Sequence, residues 1–231
     1  MHKMKTLIVG ENQEGATQLL GSHSNFFEIV KTNPDIVISF GGDGTLMKAE
    51  HLYPGIPKLY LRNSRIGKLG HQTKENHDIL VHVVRGEYEI EEKMKLDARV
   101  GERVLVGLND IVIHNENPRN GIRYEINIDG ALFRSEIIGD GVVFATPLGS
   151  TGYYRSITDS SFEVGIGVAF NNSTEQSDHM VVRDGRVIRV TITRGPAICY
   201  ADNQEESIKL SEGEYVDVMK SKNIGKIIRV R

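Results

Sequence analysis

The chain has 231 residues, enough for one large domain or two modest ones whose cores need no disulfide or metal staple. Its 28 Lys and Arg against 31 Asp and Glu give a net charge of −3, so no basic excess points to nucleic acid or an anionic membrane as a partner. The single cysteine, Cys199, excludes an internal disulfide and a multi-thiolate metal site, fits a reducing cytoplasm, and is not expected to act in catalysis.

The segment Met1-His2-Lys3-Met4-Lys5 leads into Leu7-Ile8-Val9, an apolar run far shorter than a signal-peptide core or a membrane span, and a cytoplasmic protein is expected. The eight histidines are scattered and form no H-E-x-x-H pattern, so no protein metal site is assigned and any metal is expected to arrive with a substrate. Up to residue 87, short apolar runs alternate with helix-like segments, the habit of a parallel sheet with crossover helices. Strands are expected at Thr6 to Val9, Phe27 to Val30, Asp35 to Phe40 and Lys58 to Leu61, with helices near Gln13 to Leu20, Thr45 to Tyr53 and Lys74 to Arg85. In the last helix Ile79, Leu80, Val83 and Val84 fall at helical spacing, and Gly86 is placed to end it.

The strand ending at Phe40 empties into Gly41-Gly42-Asp43-Gly44-Thr45 before a helix-like stretch. Glycines let the backbone turn with φ > 0 and point amides at anionic oxygens, and the helix adds its positive end. Asp43 would repel a phosphate set directly against it, which suggests a different partner: a hydroxyl to be deprotonated or a bound Mg²⁺. Asp-Gly is also a common turn former with no chemical part.

After Gly86 the period changes to two: Tyr88, Ile90, Met94, Leu96, Ala98 and Val100 alternate with charged residues, as in a half-buried antiparallel strand. The alternation returns at Ile122 to Ile128, where Asp129-Gly130 supplies a hairpin turn, and again at Val187 to Ile192 and Tyr215 to Met219. The expected fold is an α/β domain over residues 1–87 with a parallel, Rossmann-like sheet, followed by a β-rich, sandwich-like domain over 88–231. Within the second domain, Asn109-Asp110 heads the apolar run Ile111-Val112-Ile113; the pair reaches one ligand if the strand starts at a cleft, and otherwise simply starts a strand. The stretch Gly139 to Tyr153 reads as a second loop, whose Gly-Ser-Thr-Gly portion is either a plain turn or a source of hydroxyls and amides for ribose or phosphate.

Taken in order, Gly41 to Thr45, Gly67-Lys68-Leu69-Gly70, Asn109-Asp110 and Gly139 to Tyr153 resemble the NAD kinase family, whose members phosphorylate the adenosine-ribose 2′-hydroxyl of NAD. The resemblance implies Asp43 as general base and Gly41, Gly42, Gly44 and Thr45 as the phosphate loop. It implies that Asn109 and Asp110 hold NAD and that Ser150, Thr151 and Tyr153 line the dinucleotide site, with Asp202 near the position of a family Asp-Gly element. Asp140 would reach a neighbouring subunit's ligand in a homodimer or homotetramer, and the substrates would be NAD and ATP or polyphosphate, with Mg²⁺ on the donor. The chain departs from the pattern at His71, where an aromatic that stacks on adenine is usual, at Gly152 for alanine, and after Tyr154, where a Ser-Ala-Gly-Gly-Pro segment is missing. Two alternatives remain: a kinase of another hydroxyl acceptor such as a lipid or sugar, and a non-catalytic dinucleotide-binding regulatory protein.

Overall fold

Apolar runs in the first third of the chain are short and form strands, of which Ile36–Gly41 and Lys58–Arg62 are buried on both faces. The computed structural model describes residues 3–63, 75–174 and 178–231. Four strands, β1 (Met4–Val9), β2 (Phe27–Ile29), β3 (Ile36–Gly41) and β4 (Lys58–Arg62), pair in parallel in the order β2-β1-β3-β4. Parallel neighbours need crossover connections; α1 (Gln13–Gly21) and α2 (Asp43–Leu52) supply two of them, and α3 (Asn76–Val84) follows β4. Ile36, Ile38 and Phe40 of β3 and Leu59 and Leu61 of β4 pack with Ala16 and Leu20 of α1 and Ile79, Leu80 and Val83 of α3. Leu7, Val9 and Val37 point the other way and pack with Ala49 of α2.

Local chemistry sets the helix ends. The Asn12 side chain accepts from the Gly15 N–H at 2.9 Å to cap α1, while the N–H groups of Gly86 and Glu87 close the last turn of α3 on the carbonyls of Val83 and His82 at 3.0 and 2.9 Å. The register of α2 rests on a buried ion pair: Lys58 of β4, 1% exposed, meets Glu50 of α2, 2% exposed.

The remaining strands are β5 (Tyr88–Val100), β6 (Arg103–Gly107), β7 (Asp110–Asn115), β8 (Ile122–Ile128), β9 (Ala131–Gly139), β10 (Gly141–Ala145), β11 (Ile166–Asn171), β12 (His179–Val182), β13 (Ile188–Arg194), β14 (Ala197–Ala201), β15 (Ser207–Leu210) and β16 (Tyr215–Val230), with α4 (Tyr153–Thr158) between β10 and β11. Six pair antiparallel in the order β12-β11-β10-β7-β14-β15. A second layer joins β9, β8, β13 and residues 215–218 of β16, also antiparallel, and β5 pairs with β6. Ile111, Ile113, Val142, Phe144 and Val168 of the six-stranded sheet share one core with Tyr124, Ile126, Val190 and Val216 of the other layer, which makes a sandwich. The opposite face of the six-stranded sheet, with Val112, Val143 and Ala169, is covered by Tyr154 of α4.

The expected class is what forms: a parallel α/β part and an antiparallel β-rich part. Details differ in three places. The chain divides into Met1–Lys93 with Ile224–Arg231, and Met94–Asn223, instead of at 87/88, because β5 and β16 each run unbroken from one unit into the other, with no composition shift to mark the crossing. Residues 139–153 are not one loop: Val142-Val143-Phe144 are β-branched and aromatic and form the buried strand β10, while Gly149–Thr151 is a 3₁₀ turn that leads into α4. Gly44 and Thr45 lie in the first turn of α2, which starts at Asp43.

Removing one member of the buried ion pair leaves the other charge without it, so Lys58→Met should lower stability by about 3–5 kcal/mol. The double change Lys58→Met with Glu50→Leu should recover most of that loss, and urea denaturation of the three variants against the parent checks both statements.

Candidate functional site

In the first unit, β1 and β3 are neighbours, but the chain leaves β1 towards β2 on one side and enters β3 on the other. Connections part at that point, and the carboxyl ends of the two strands open a crevice there. A cavity of about 520 Å³ occupies it, lined by Glu11 and Asn12 after β1, by Phe40, Gly41, Gly42 and Thr45 at the end of β3 and the start of α2, and by Asn63 after β4. Gly41 is required by contact: a Cβ there would come 2.3 Å from Thr45 Oγ1. The expectation of φ > 0 in this loop is not met, since Gly41 ends a strand, Gly42 has φ −99 and ψ −173, and Gly44 is helical. Bare backbone beside Thr45, together with an α2 N-terminus that no N-cap side chain covers, makes this loop suited to an anion.

Asp43 sits in the first turn of α2, where the helix end favours negative charge. Tyr60 of β4 donates its hydroxyl to Asp43 Oδ1 at 3.2 Å. Burial, followed by the charge and hydrogen bond of Asp43, holds the Tyr60 phenol well above its usual range, so it stays a donor.

In the second unit the expected residues Asn109, Asp110 and Asp202 come together. The Asp202 carboxylate accepts the N–H groups of Leu108 at 2.7 Å on Oδ2, and of Asn109 and Asp110 at 2.7 and 3.0 Å on Oδ1. Its own N–H donates to the Asp110 carbonyl at 3.0 Å. Thr146 braces the same turn from the other side, donating its N–H to the Asn109 carbonyl and its hydroxyl to the Leu108 carbonyl, both at 2.8 Å. Gly149 completes the contact, since a Cβ there would lie 2.1 Å from the Asn109 carbonyl oxygen. Asn109 and Asp110 are each 8% exposed, and Asn109 Oδ1 has no hydrogen-bond partner among the described residues. Burial and then the charge of Asp202 push the Asp110 carboxyl up to about 7. Burial also raises Asp202, against the three N–H donors and Lys95.

Tyr153 opens α4, and its hydroxyl accepts from Asn171 Nδ2 at 3.0 Å. Burial raises its phenol, Asn171 opposes that, and the charges of Asp110 and Asp140 add to the rise. Asp140, ahead of β10, takes Asn172 Nδ2 at 2.9 Å and Asn115 Nδ2 at 3.3 Å. Ser150 is turned inward, its hydroxyl within 2.8 and 3.1 Å of the Pro147 and Phe162 carbonyls, which ties the 3₁₀ turn to the segment after α4. Thr151 is half-buried in that turn. His71 and the Gly67-Lys68-Leu69-Gly70 turn lie outside the described residues.

The sequence does not single out Tyr60, Asn115 and Asn171 as site residues, and it gives Thr146, inside the Gly139 to Tyr153 stretch, no role of its own. Thr146 had a usable signal, a Thr-Pro directly after a buried apolar run, whereas a tyrosine inside a strand such as Tyr60 reads as ordinary core.

Residues 108–230 match the family model of the ATP-NAD kinase C-terminal domain. Over 188 residues, 78% of the chain, it is 30% identical to the NAD kinase of Methanothermobacter thermautotrophicus, of which it covers 66%. Over 203 residues, 84% of the chain, it is 30% identical to the NAD kinase of Pyrococcus furiosus, of which it covers 73%. The crystal structure of an NAD kinase from Archaeoglobus fulgidus in complex with ATP matches its fold with a TM-score of 0.78 at 21% identity, over 99% of this chain and 94% of that one. The fold and its two sites define a protein that joins a switch-point α/β unit carrying a Gly-Gly-Asp-Gly loop to a β-sandwich. The chain belongs to the NAD kinase family. It spans 66% of the Methanothermobacter relative and 49% and 52% of two further curated NAD kinases.

A carboxyl whose value is higher in the folded chain than the ordinary 3.8 stabilises the fold fully below that pH and loses the contribution as pH rises through about 7. Denaturant unfolding of the ligand-free protein between pH 5 and 8 should therefore show the parent losing stability with rising pH relative to Asp110→Asn, with the difference levelling above about pH 7. Parallel curves for the two proteins would contradict the assignment.

Proposed function

We propose that this chain phosphorylates the 2′-hydroxyl of the adenosine ribose of NAD to give NADP, with ATP or polyphosphate as phosphoryl donor. The observation that carries the proposal is Asp43: a carboxylate in the first turn of α2, held on Oδ1 by Tyr60, directly after a loop suited to phosphate. In the proposed reaction the ribose 2′ oxygen forms a bond to the donor's terminal phosphorus. The bond from that phosphorus to the bridging oxygen breaks and its electrons leave with ADP or the shortened polyphosphate, while the hydroxyl proton passes to Asp43. Gly41, Gly42, Gly44 and Thr45 take the phosphate groups, and positioning supplies most of the acceleration.

Asn109 Oδ1, buried and unpartnered among the described residues, fits an amino donor such as that of adenine, and Asp110 fits a ribose hydroxyl. Thr151 and Tyr153 line the dinucleotide, Ser150 shapes their turn, and Asp202 holds Asn109 and Asp110 in place. Asp140 is assigned to a neighbouring subunit's ligand in a homodimer or homotetramer, and His71 to the adenine face. Mg²⁺ is proposed to be carried mainly on the donor's phosphate oxygens. There it would neutralise charge on the phosphoryl group being transferred. No described helix is long and apolar enough to cross a membrane, and a cytoplasmic place of action is part of the proposal.

Purified protein given NAD, Mg²⁺ and ATP or polyphosphate should form NADP, read by a NADP-specific dehydrogenase. Dinucleotide binding with no NADP from any donor would favour a regulatory protein, and turnover of a lipid or sugar hydroxyl instead would favour a related kinase. Asp43→Asn should lower kcat by about 10²–10⁴-fold with NAD affinity within a few fold, because a base acts mainly in the transition state.

A further inference from the structure

On the face of the sheet that packs against α2, Lys58 and Tyr60 of β4 meet Glu50 and Asp43 of α2. The helix runs against the strand, so its late residue Glu50 meets the early Lys58, and its first residue Asp43 meets the later Tyr60. The Lys58 contact serves packing, since it ties down the last turns of α2. The Tyr60 contact is different, because its acceptor is the proposed base. Tyr60 is 1% exposed, and a phenylalanine would fill the same space without bringing a hydroxyl into the protein that then needs an acceptor.

We propose that Tyr60 is a positioning residue for Asp43: its O–H, donated to Oδ1, fixes the carboxylate's rotation at the head of α2 so that the acceptor hydroxyl meets a base already aimed. The inference rests on Asp43 being the general base. Tyr60 itself takes no proton, since its phenol stays protonated throughout.

Tyr60→Phe keeps the ring and removes the hydroxyl. It should leave the melting temperature within a few degrees and the KM for NAD and for the phosphoryl donor within about twofold, while kcat falls about tenfold. The same change made in Asp43→Asn should cost nothing further in the residual rate, because the group Tyr60 acts through is gone. A Tyr60→Phe variant with unchanged kcat, or one that loses the same factor in both backgrounds, overturns the positioning role while leaving Asp43 as the base. Full activity in Asp43→Asn instead removes the base assignment and this inference with it. If Tyr60→Phe folds poorly, Tyr60→Leu and Tyr60→Met, which lack the hydroxyl but fill the site differently, replace it, and a kcat loss common to all folded variants with KM unchanged supports the role.

Discussion

The N–H groups of Leu108, Asn109 and Asp110 all point at one carboxylate, that of Asp202, and the geometry of the second unit's site hangs on this. A strand that begins with two polar residues in a buried setting has backbone donors that water cannot reach, and each needs an acceptor. One carboxylate serves three of them because it offers two oxygens with several lone pairs. Asp202 manages this from a left-handed turn with φ 47, a conformation that aspartate tolerates better than most residues. The outcome is that Asn109 and Asp110 are fixed from their backbones, so their side chains need not hold themselves in place. Thr146 and Gly149 do the same from the other flank, one by hydrogen bonds and the other by having no side chain to obstruct the carbonyl of Asn109.

That arrangement sets two acids close together in a place with little solvent. Burial raises both carboxyls; the three N–H donors and Lys95 oppose the rise at Asp202, whereas at Asp110 the charge of Asp202 adds to it.

Much of this architecture was legible from periodicity. Alternation at Tyr88 to Val100 and Ile122 to Ile128 forced half-buried strands, and Asp129-Gly130, both with positive φ, made the hairpin between β8 and β9. The Gly-Gly-Asp-Gly run marked the crevice because a glycine loop after a doubly buried strand has few other uses. What stayed hidden depended on partners far away in the chain. Nothing near Asp202 announces that its acceptors' donors lie more than ninety residues earlier. Val142-Val143-Phe144 was folded into a loop because glycines bracket it, although its own residues prefer a strand. The φ > 0 argument at Gly41 failed for a related reason: glycine was needed to admit the Thr45 side chain, a contact that no local propensity encodes.

The α2 contacts with β4 illustrate how a contact near one end of a helix can set the position of its other end. Asp43 and Glu50 are seven residues apart, nearly two full turns, roughly 10 Å along the helix. Apolar packing on Leu46 and Ala49 would tolerate a shift of α2 along its axis at modest cost, since one aliphatic surface resembles another. Lys58 and Glu50 do not tolerate it. A slip of one turn, about 5 Å, would separate two buried charges that have little water to turn to. The ion pair thus adds less to stability than to register, and register is what determines where the first turn of α2, and with it Asp43, comes to lie beside Tyr60.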